Sequence, residues 1–163
     1  MTAMIDLNSD LGESYGAWRM GDDAAMLDIV TSANVACGFH GGDPLEMRRT
    51  VEMAVAKNVA IGAHPGFQDL QGFGRRRILG IPPDELQAMM LYQVGALQAI
   101  ARAAGGDVTH VKIHGALGNM TSEDDAMAET CIRAVQALDP KLMFVAIAAT
   151  ALERAARKVG QPC

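Results

Sequence analysis

Short apolar runs alternate five times with helix-like segments, and no other feature of the sequence constrains the fold as strongly. The clearest instance is Ser32 to Pro44, S-A-N-V-A-C-G-F-H-G-G-D-P. A buried strand breaks there at Cys37-Gly38 into a glycine-rich loop, and a helix starts at Asp43-Pro44. Asp43 suits the N-cap, Pro44 the first helical position, and Glu46 the third-position acid of a capping box. The remaining strand candidates are Met4 to Leu7, Val59 to Ala63, Val108 to Ile113 and Leu142 to Ile147. Helices are predicted over Asp22 to Val30, with Ala25, Met26, Ile29 and Val30 on one face, and over Pro44 to about Asn58, with the stripe Met47, Val51, Ala54 and Val55. A third runs from Pro82 to about Ala104 and stops at Gly105-Gly106. A fourth is opened by Thr121-Ser122-Glu123-Asp124 as a capping box and continues to about Leu138, and a last one is capped by Thr150 with Glu153 and stopped by Gly160. Five β-α units in strict order imply an α/β fold with a parallel sheet and right-handed crossovers. With 163 residues, half of them hydrophobic, the chain has material for one domain over residues 1–163.

The charge balance narrows the partners. A net charge of −5 and a single basic cluster, Arg75-Arg76-Arg77, argue against nucleic acid. The longest apolar run, Leu142 to Ala149, is too short to span a bilayer, and Asp6 and Asp10 come too early for a signal peptide. Three widely spaced cysteines without a C-x-x-C pair fit reduced thiols, so a cytoplasmic protein is expected.

In a parallel sheet all strands point the same way, so side chains just past their C-terminal ends share one rim. His40, His64 and His114 all fall there, and Asp10 sits in the polar stretch after the first strand candidate. Strand periodicity puts Asp6, Asn8 and Asp10 on one side. Imidazole with carboxylate suits a divalent metal, and Asp10 with His40, His64 and His114 would be enough for a site with an open position; the same groups suit acid-base work or substrate hydrogen bonding, and each histidine alone is also consistent with a structural role. Lys112, inside an apolar run, needs a carboxylate or an anionic ligand, or lies on an edge strand with its amine in water. Glu13 is a further carboxylate, equally suited to capping the helix that follows. Gly72 to Arg77, G-F-G-R-R-R, is either an anion-binding loop built on Arg75 and Arg76 or a solvated basic turn. No P-loop, G-x-S-x-G or nucleophilic-cysteine signature is present, and Cys37 reads as a core residue.

Five stretches together, D-L-N-S-D-L-G-E-S-Y-G (Asp6 to Gly16), A-N-V-A-C-G-F-H-G-G-D-P (Ala33 to Pro44), G-A-H-P-G-F-Q-D (Gly62 to Asp69), G-F-G-R-R (Gly72 to Arg76) and V-K-I-H-G-A-L-G-N (Val111 to Asn119), resemble the LamB/YcsF family. The resemblance implies a TIM-like (βα) barrel related to the polysaccharide deacetylases. It also implies cooperation with subunits B and C of a 5-oxoprolinase in opening 5-oxoproline to L-glutamate at the expense of ATP with Mg. Carried onto this chain, the family's polar positions are Asn8, Asp10, Glu13, His40, Asp43, His64, Arg75, Arg76, Lys112, His114 and Asn119. The implied catalytic groups are Asp10, His40, His64, Lys112 and His114, with Asn8, Glu13, Arg75, Arg76 and Asn119 binding substrate or phosphate. Ile113 stands where the family usually has proline and Gly118 where it has tyrosine, so the fourth loop is expected to be looser or to lack an aromatic wall. Members of the family are longer. The expected fold is therefore a barrel C-terminally truncated to about five βα units, which cannot close, giving an open sheet or pairing with another copy as a homo-oligomer. Two other readings are a metal-dependent hydrolase of the deacetylase kind, with Asp10, His40 and His64 binding a divalent ion that activates water, and a non-catalytic fragment that binds an acidic ligand or partner subunits.

Overall fold

The computed structural model describes residues 5–163. Its five strands are β1 (Asn8–Leu11), β2 (Ser32–Ala36), β3 (Ala60–His64), β4 (Val108–Val111) and β5 (Met143–Phe144). They form one parallel sheet in the order β1-β2-β3-β4-β5. Strand order that never reverses, with right-handed crossovers, places all the helices on one face. Those helices are α1 (Asp23–Met26), α2 (Pro44–Ala56), α3 (Pro83–Ala103), α4 (Gly115–Glu123), α5 (Asp125–Leu138) and α6 (Ala151–Val159). The sheet is open, with β1 and β5 as its edges, which is one of the two expected arrangements.

The sheet curls as a barrel sector does. Lys112, just past β4, reaches Asp10 on β1 at 2.7 Å although β2 and β3 lie between them. The core fills the convex side, between sheet and helices. α3 supplies Leu86, Met90, Val94, Leu97 and Ala101, all buried and spaced by three or four residues. Burying each of the larger ones stabilises the fold by about 1.5–3 kcal/mol. α2 contributes Met47, Val51 and Ala54 from its predicted stripe, and Asp43 caps it by accepting from the amides of Leu45 and Glu46. The box does not close, because Glu46 turns to Arg19 and Arg49 instead.

Four expectations need correction. The first strand is Asn8–Leu11; of the run Met4 to Leu7, Met4 lies outside the described residues, while Ile5 and Leu7 are exposed. The helix predicted over Asp22 to Val30 is one turn with no buried residue; of the predicted run only Leu27 and Val30, beyond that turn, are buried, and Ile29 is in solvent. The fourth loop is the helix α4, and the helix after it is capped by Asp124, not Thr121; the Thr121 and Ser122 hydroxyls donate to carbonyls one turn back. The run Leu142 to Ile147 pairs as strand only over Met143–Phe144.

The concave face is polar. Ladder pairing sets Asp10 beside Asn34, Asn34 beside Gly62 and Gly62 beside His110, a single row across four strands. A Cβ at residue 62 would overlap the His110 imidazole, so only glycine lets that ring cross over β3. His110 Nε2 then donates to Asn34 Oδ1 at 2.9 Å, and Asn34 Nδ2 donates to Asp10 Oδ1 at 2.7 Å.

Candidate active site

Asp10 is held from three directions. Lys112 Nζ lies 2.7 and 3.0 Å from its two oxygens, Asn34 Nδ2 donates to Oδ1, and His64 Nε2 is 3.3 Å from Oδ2. Burial pushes its pKa up, but His64, Lys112 and Asn34 beside it outweigh burial and keep the carboxyl well below the usual range. Asp10 is therefore an ionised, oriented acceptor. Lys112, half-buried, takes the carboxylate partner that its place in an apolar run demanded.

The three rim histidines meet. The rings of His40 and His114 stack with centroids 3.7 Å apart and planes 4° from parallel, and His64 stands edge-on to both. His114 Nε2 donates to the Phe73 carbonyl at 2.8 Å, and His64 Nδ1 donates to the Lys112 carbonyl at 2.6 Å. Burial and the neighbouring His40 and His64 push the pKa of His114 down to about 4, and burial also lowers that of His40. The glycine-rich loop closes over these rings. Phe73 itself adopts a positive φ of 54°, a costly conformation for a bulky residue, and this aims its carbonyl at His114. At Gly74 a Cβ would come within 2.8 Å of both His40 and His114.

Glu13 completes the cluster. Its Oε1 is 3.3 Å from His40 Nε2 and 3.6 Å from His114 Nδ1. One donor atom from each of Glu13, His40, His64 and His114 lies within 4.8 Å of the others. Glu13 faces two of these rings, whereas Asp10, expected as a ligand with His40 and His64, touches only His64 and is bonded to Lys112 and Asn34.

A cleft of about 450 Å³ opens beside the cluster, with Asp10, Lys112, His114, Arg75 and Asn119 among its polar walls. Gly115 and Ala116, the first residues of α4, also line it, so the positive end of that helix borders the cleft, with the Ala116 amide itself donating to the Gly74 carbonyl. His40 is fully buried and does not reach this space. Ile113, Val145 and Ile147 form an apolar side, and the cleft has no Phe, Tyr or Trp, in line with Gly118 in place of tyrosine. Gly118 packs against the Ile113 carbonyl, where a Cβ would come within 2.9 Å.

Two expected site residues lie elsewhere. Arg76 clamps the buried Asp69 carboxylate, which also accepts from the Gly72 amide, so it fastens the loop. Asn8 bonds Ser32 and Asn34 lower on the concave face. Asn34 and His110, which carry the support for Asp10, were missed. Their signal was the alternation of Ser32 with Asn34 and of His110 with Lys112 inside otherwise apolar runs.

The chain is 58% identical over 156 residues to the A subunit of 5-oxoprolinase from Rhodopseudomonas palustris strain BisB5, covering 96% of this chain and 61% of that protein. It is 57% identical over 159 residues to a 5-oxoprolinase A subunit of Pseudomonas syringae pv. tomato, covering 98% of this chain and 62% of the relative. The chain thus spans about three-fifths of the length of these curated relatives. The crystal structure of a lactam utilization protein from Thermus thermophilus superposes with a TM-score of 0.96 at 48% identity, over 98% of this chain and 64% of that one. The LamB/YcsF family model matches residues 5–163, so the polar concave face and its histidine rim belong to a member of the LamB/YcsF family.

Proposed function

We propose that the chain is the part of a 5-oxoprolinase that binds 5-oxoproline for ring opening to L-glutamate, acting with subunits B and C in the cytoplasm. The observation that carries the reading is the cleft in which the Asp10 carboxylate, held by Lys112, faces Arg75 and the positive end of α4. At about 450 Å³ it admits a five-membered lactam with one carboxylate and leaves room beside it. The names of the relatives support the same substrate class.

A lactam is a poor electrophile, and this is where ATP with Mg enters the proposal. Attack of the lactam oxygen on the terminal phosphorus of ATP releases ADP and makes the ring carbon electrophilic. Water adds to that carbon, the ring C–N bond breaks with the proton going to nitrogen, and a second water releases phosphate. One ATP and two waters thereby give glutamate, ADP and phosphate. Asp10, fixed and ionised, orients the water, while Lys112 and Arg75 answer the charge on the lactam oxygen or the phosphoryl group. His64 and His114 hold Asp10 and the start of α4 in place. His40, being sealed from the cleft, is not the base in this scheme.

The test is glutamate release from 5-oxoproline with ATP and magnesium, using the chain alone and mixed with subunits B and C. Glutamate formed in the mixture, with ADP in equal amount, is expected, and Asp10→Asn should abolish it without altering thermal unfolding. No glutamate from the mixture, when a full-length relative works in the same assay, would overturn the proposal for this chain.

A further inference from the structure

The hydrogen bonds of the histidine cluster fix where its lone pairs point. His114 gives its Nε2 proton to Phe73 and His64 gives its Nδ1 proton to Lys112, both to backbone carbonyls. In the neutral rings this leaves lone pairs on His114 Nδ1 and His64 Nε2 facing each other at 3.0 Å, with the Asp10 carboxylate also 3.3 Å from His64 Nε2. Two lone pairs at that distance repel unless a positive charge lies between them. A shared proton would answer this one contact. It would leave both nitrogens of His40 and Glu13 Oε1, all buried, without a well-formed hydrogen bond, the 3.3 Å approach of His40 Nε2 to Glu13 Oε1 being the nearest to one. Such orphaned groups cost about 1–3 kcal/mol each.

A metal ion answers all four at once. We propose that Glu13, His40, His64 and His114 bind one divalent transition ion of the zinc or cobalt class. Bonds of about 2.0–2.1 Å to nitrogen or oxygen in a tetrahedron place neighbouring donors about 3.3 Å apart. The distances here are 3.0 Å for His64 to His114, 3.3 Å for His40 to Glu13 and 3.6 Å for His114 to Glu13. The backbone carbonyls of Phe73 and Lys112 are the outer groups that ligating histidines usually need to fix their tautomers. Three imidazoles with one carboxylate favour such an ion over magnesium or calcium, which prefer oxygen donors. Seating the ion requires one of the two stacked rings to tilt, and His40, unbonded at both nitrogens, is the one free to turn. Asp10 stays with Lys112 and is not a ligand.

Equilibrium dialysis of metal-free protein against Zn²⁺ or Co²⁺, with no substrate present, tests this directly. One equivalent should bind per chain, and the cobalt form should show the intense visible bands of four-coordinate Co²⁺. Glu13→Gln and His40→Gln should weaken binding by more than the roughly 10–100-fold that loss of a supporting group costs. Asp10→Asn should bind as the parent does. Thermal unfolding shows whether each variant is folded, and Glu13, at the rim of the cluster, carries the test if His40→Gln is not. Absence of stoichiometric metal, or an affinity unchanged by Glu13→Gln, overturns the proposal. Glutamate formation by metal-free protein in the subunit mixture would leave the lactam reading intact and show that it needs no ion at this site.

Discussion

Gly62→Ala should be among the most damaging single-methyl changes in this protein. The added Cβ would occupy space held by the His110 imidazole, so the ring has to leave the concave face or the strands have to part. Leaving breaks the buried bond to Asn34 Oδ1, at about 1–3 kcal/mol, and crowding the row adds about 1–3 kcal/mol. The loss of glycine entropy in the unfolded chain returns about 0.4–1 kcal/mol. The net cost is about 2–4 kcal/mol, which at about 2–4 °C per kcal/mol for a chain of this size lowers Tm by about 5–15 °C. Urea unfolding followed by circular dichroism measures it. The companion variant His110→Ala removes the ring that the methyl strikes, so the double variant should be less damaged than the sum of the singles by about 1–3 kcal/mol. Strict additivity, or a Gly62→Ala protein within about 0.5 kcal/mol of the parent, would refute the claim that the ring crosses over this glycine. Because Asn34 also holds Asp10, any Gly62→Ala protein that folds should lose turnover out of proportion to its stability.

The two adjacent arginines should separate cleanly. Arg75→Ala should raise KM for 5-oxoproline about 10–100-fold with Tm unchanged, since a charge-assisted bond to substrate is worth about 1.5–3 kcal/mol. Arg76→Ala should instead lower Tm by several degrees, because it strands the buried Asp69 carboxylate. Asp43→Ala should cost about 1 kcal/mol, the usual worth of an N-cap, or about 2–4 °C. Asp43 also sets a pH dependence. The amide of Gly16, then that of Glu46, lowers its folded pKa, so its contribution is complete above the unfolded value of about 3.9 and is lost as pH falls through the lower folded value. Acid unfolding of Asp43→Asn, which still caps but does not titrate, should lack that part of the slope.

Helices and the order of the units were legible because they rest on an apolar face meeting an apolar core. α2 and α3 fall within two residues of their predicted ends for that reason. β1 was misplaced by four residues because its inner face meets a polar concavity. Asn8, Ser9 and Asp10 look like loop, while the apolar Ile5 and Leu7 beside them are exposed. α4 carries two glycines in a stretch expected as a loop and forms nonetheless, since Ala116, Leu117 and Met120 are buried along one side. Local preference failed where the face of an element serves the site rather than the core.

The site shows the same division more sharply. That His40, His64 and His114 converge followed from strand direction alone, because a parallel sheet delivers every strand end to one rim. Which carboxylate joins them could not follow, since Asp10 and Glu13 stand three residues apart in a stretch that leaves its strand through Gly12 at a φ of 67°. Lys112 decides the matter across the curl of the sheet. By pairing with Asp10 it leaves Glu13 as the carboxylate turned to the imidazoles. A pairing between residues 102 positions apart depends on curvature, which sequence periodicity does not encode. Lys112→Met should therefore do more than remove a charge. Asp10 would keep only Asn34 and His64, and its freed oxygen would compete with Glu13 for the histidines. The expected signature is lost turnover together with altered metal affinity, whereas Arg75→Ala should leave metal affinity untouched. Equal metal affinities in the two variants would mean that Lys112 does not govern which carboxylate the cluster sees.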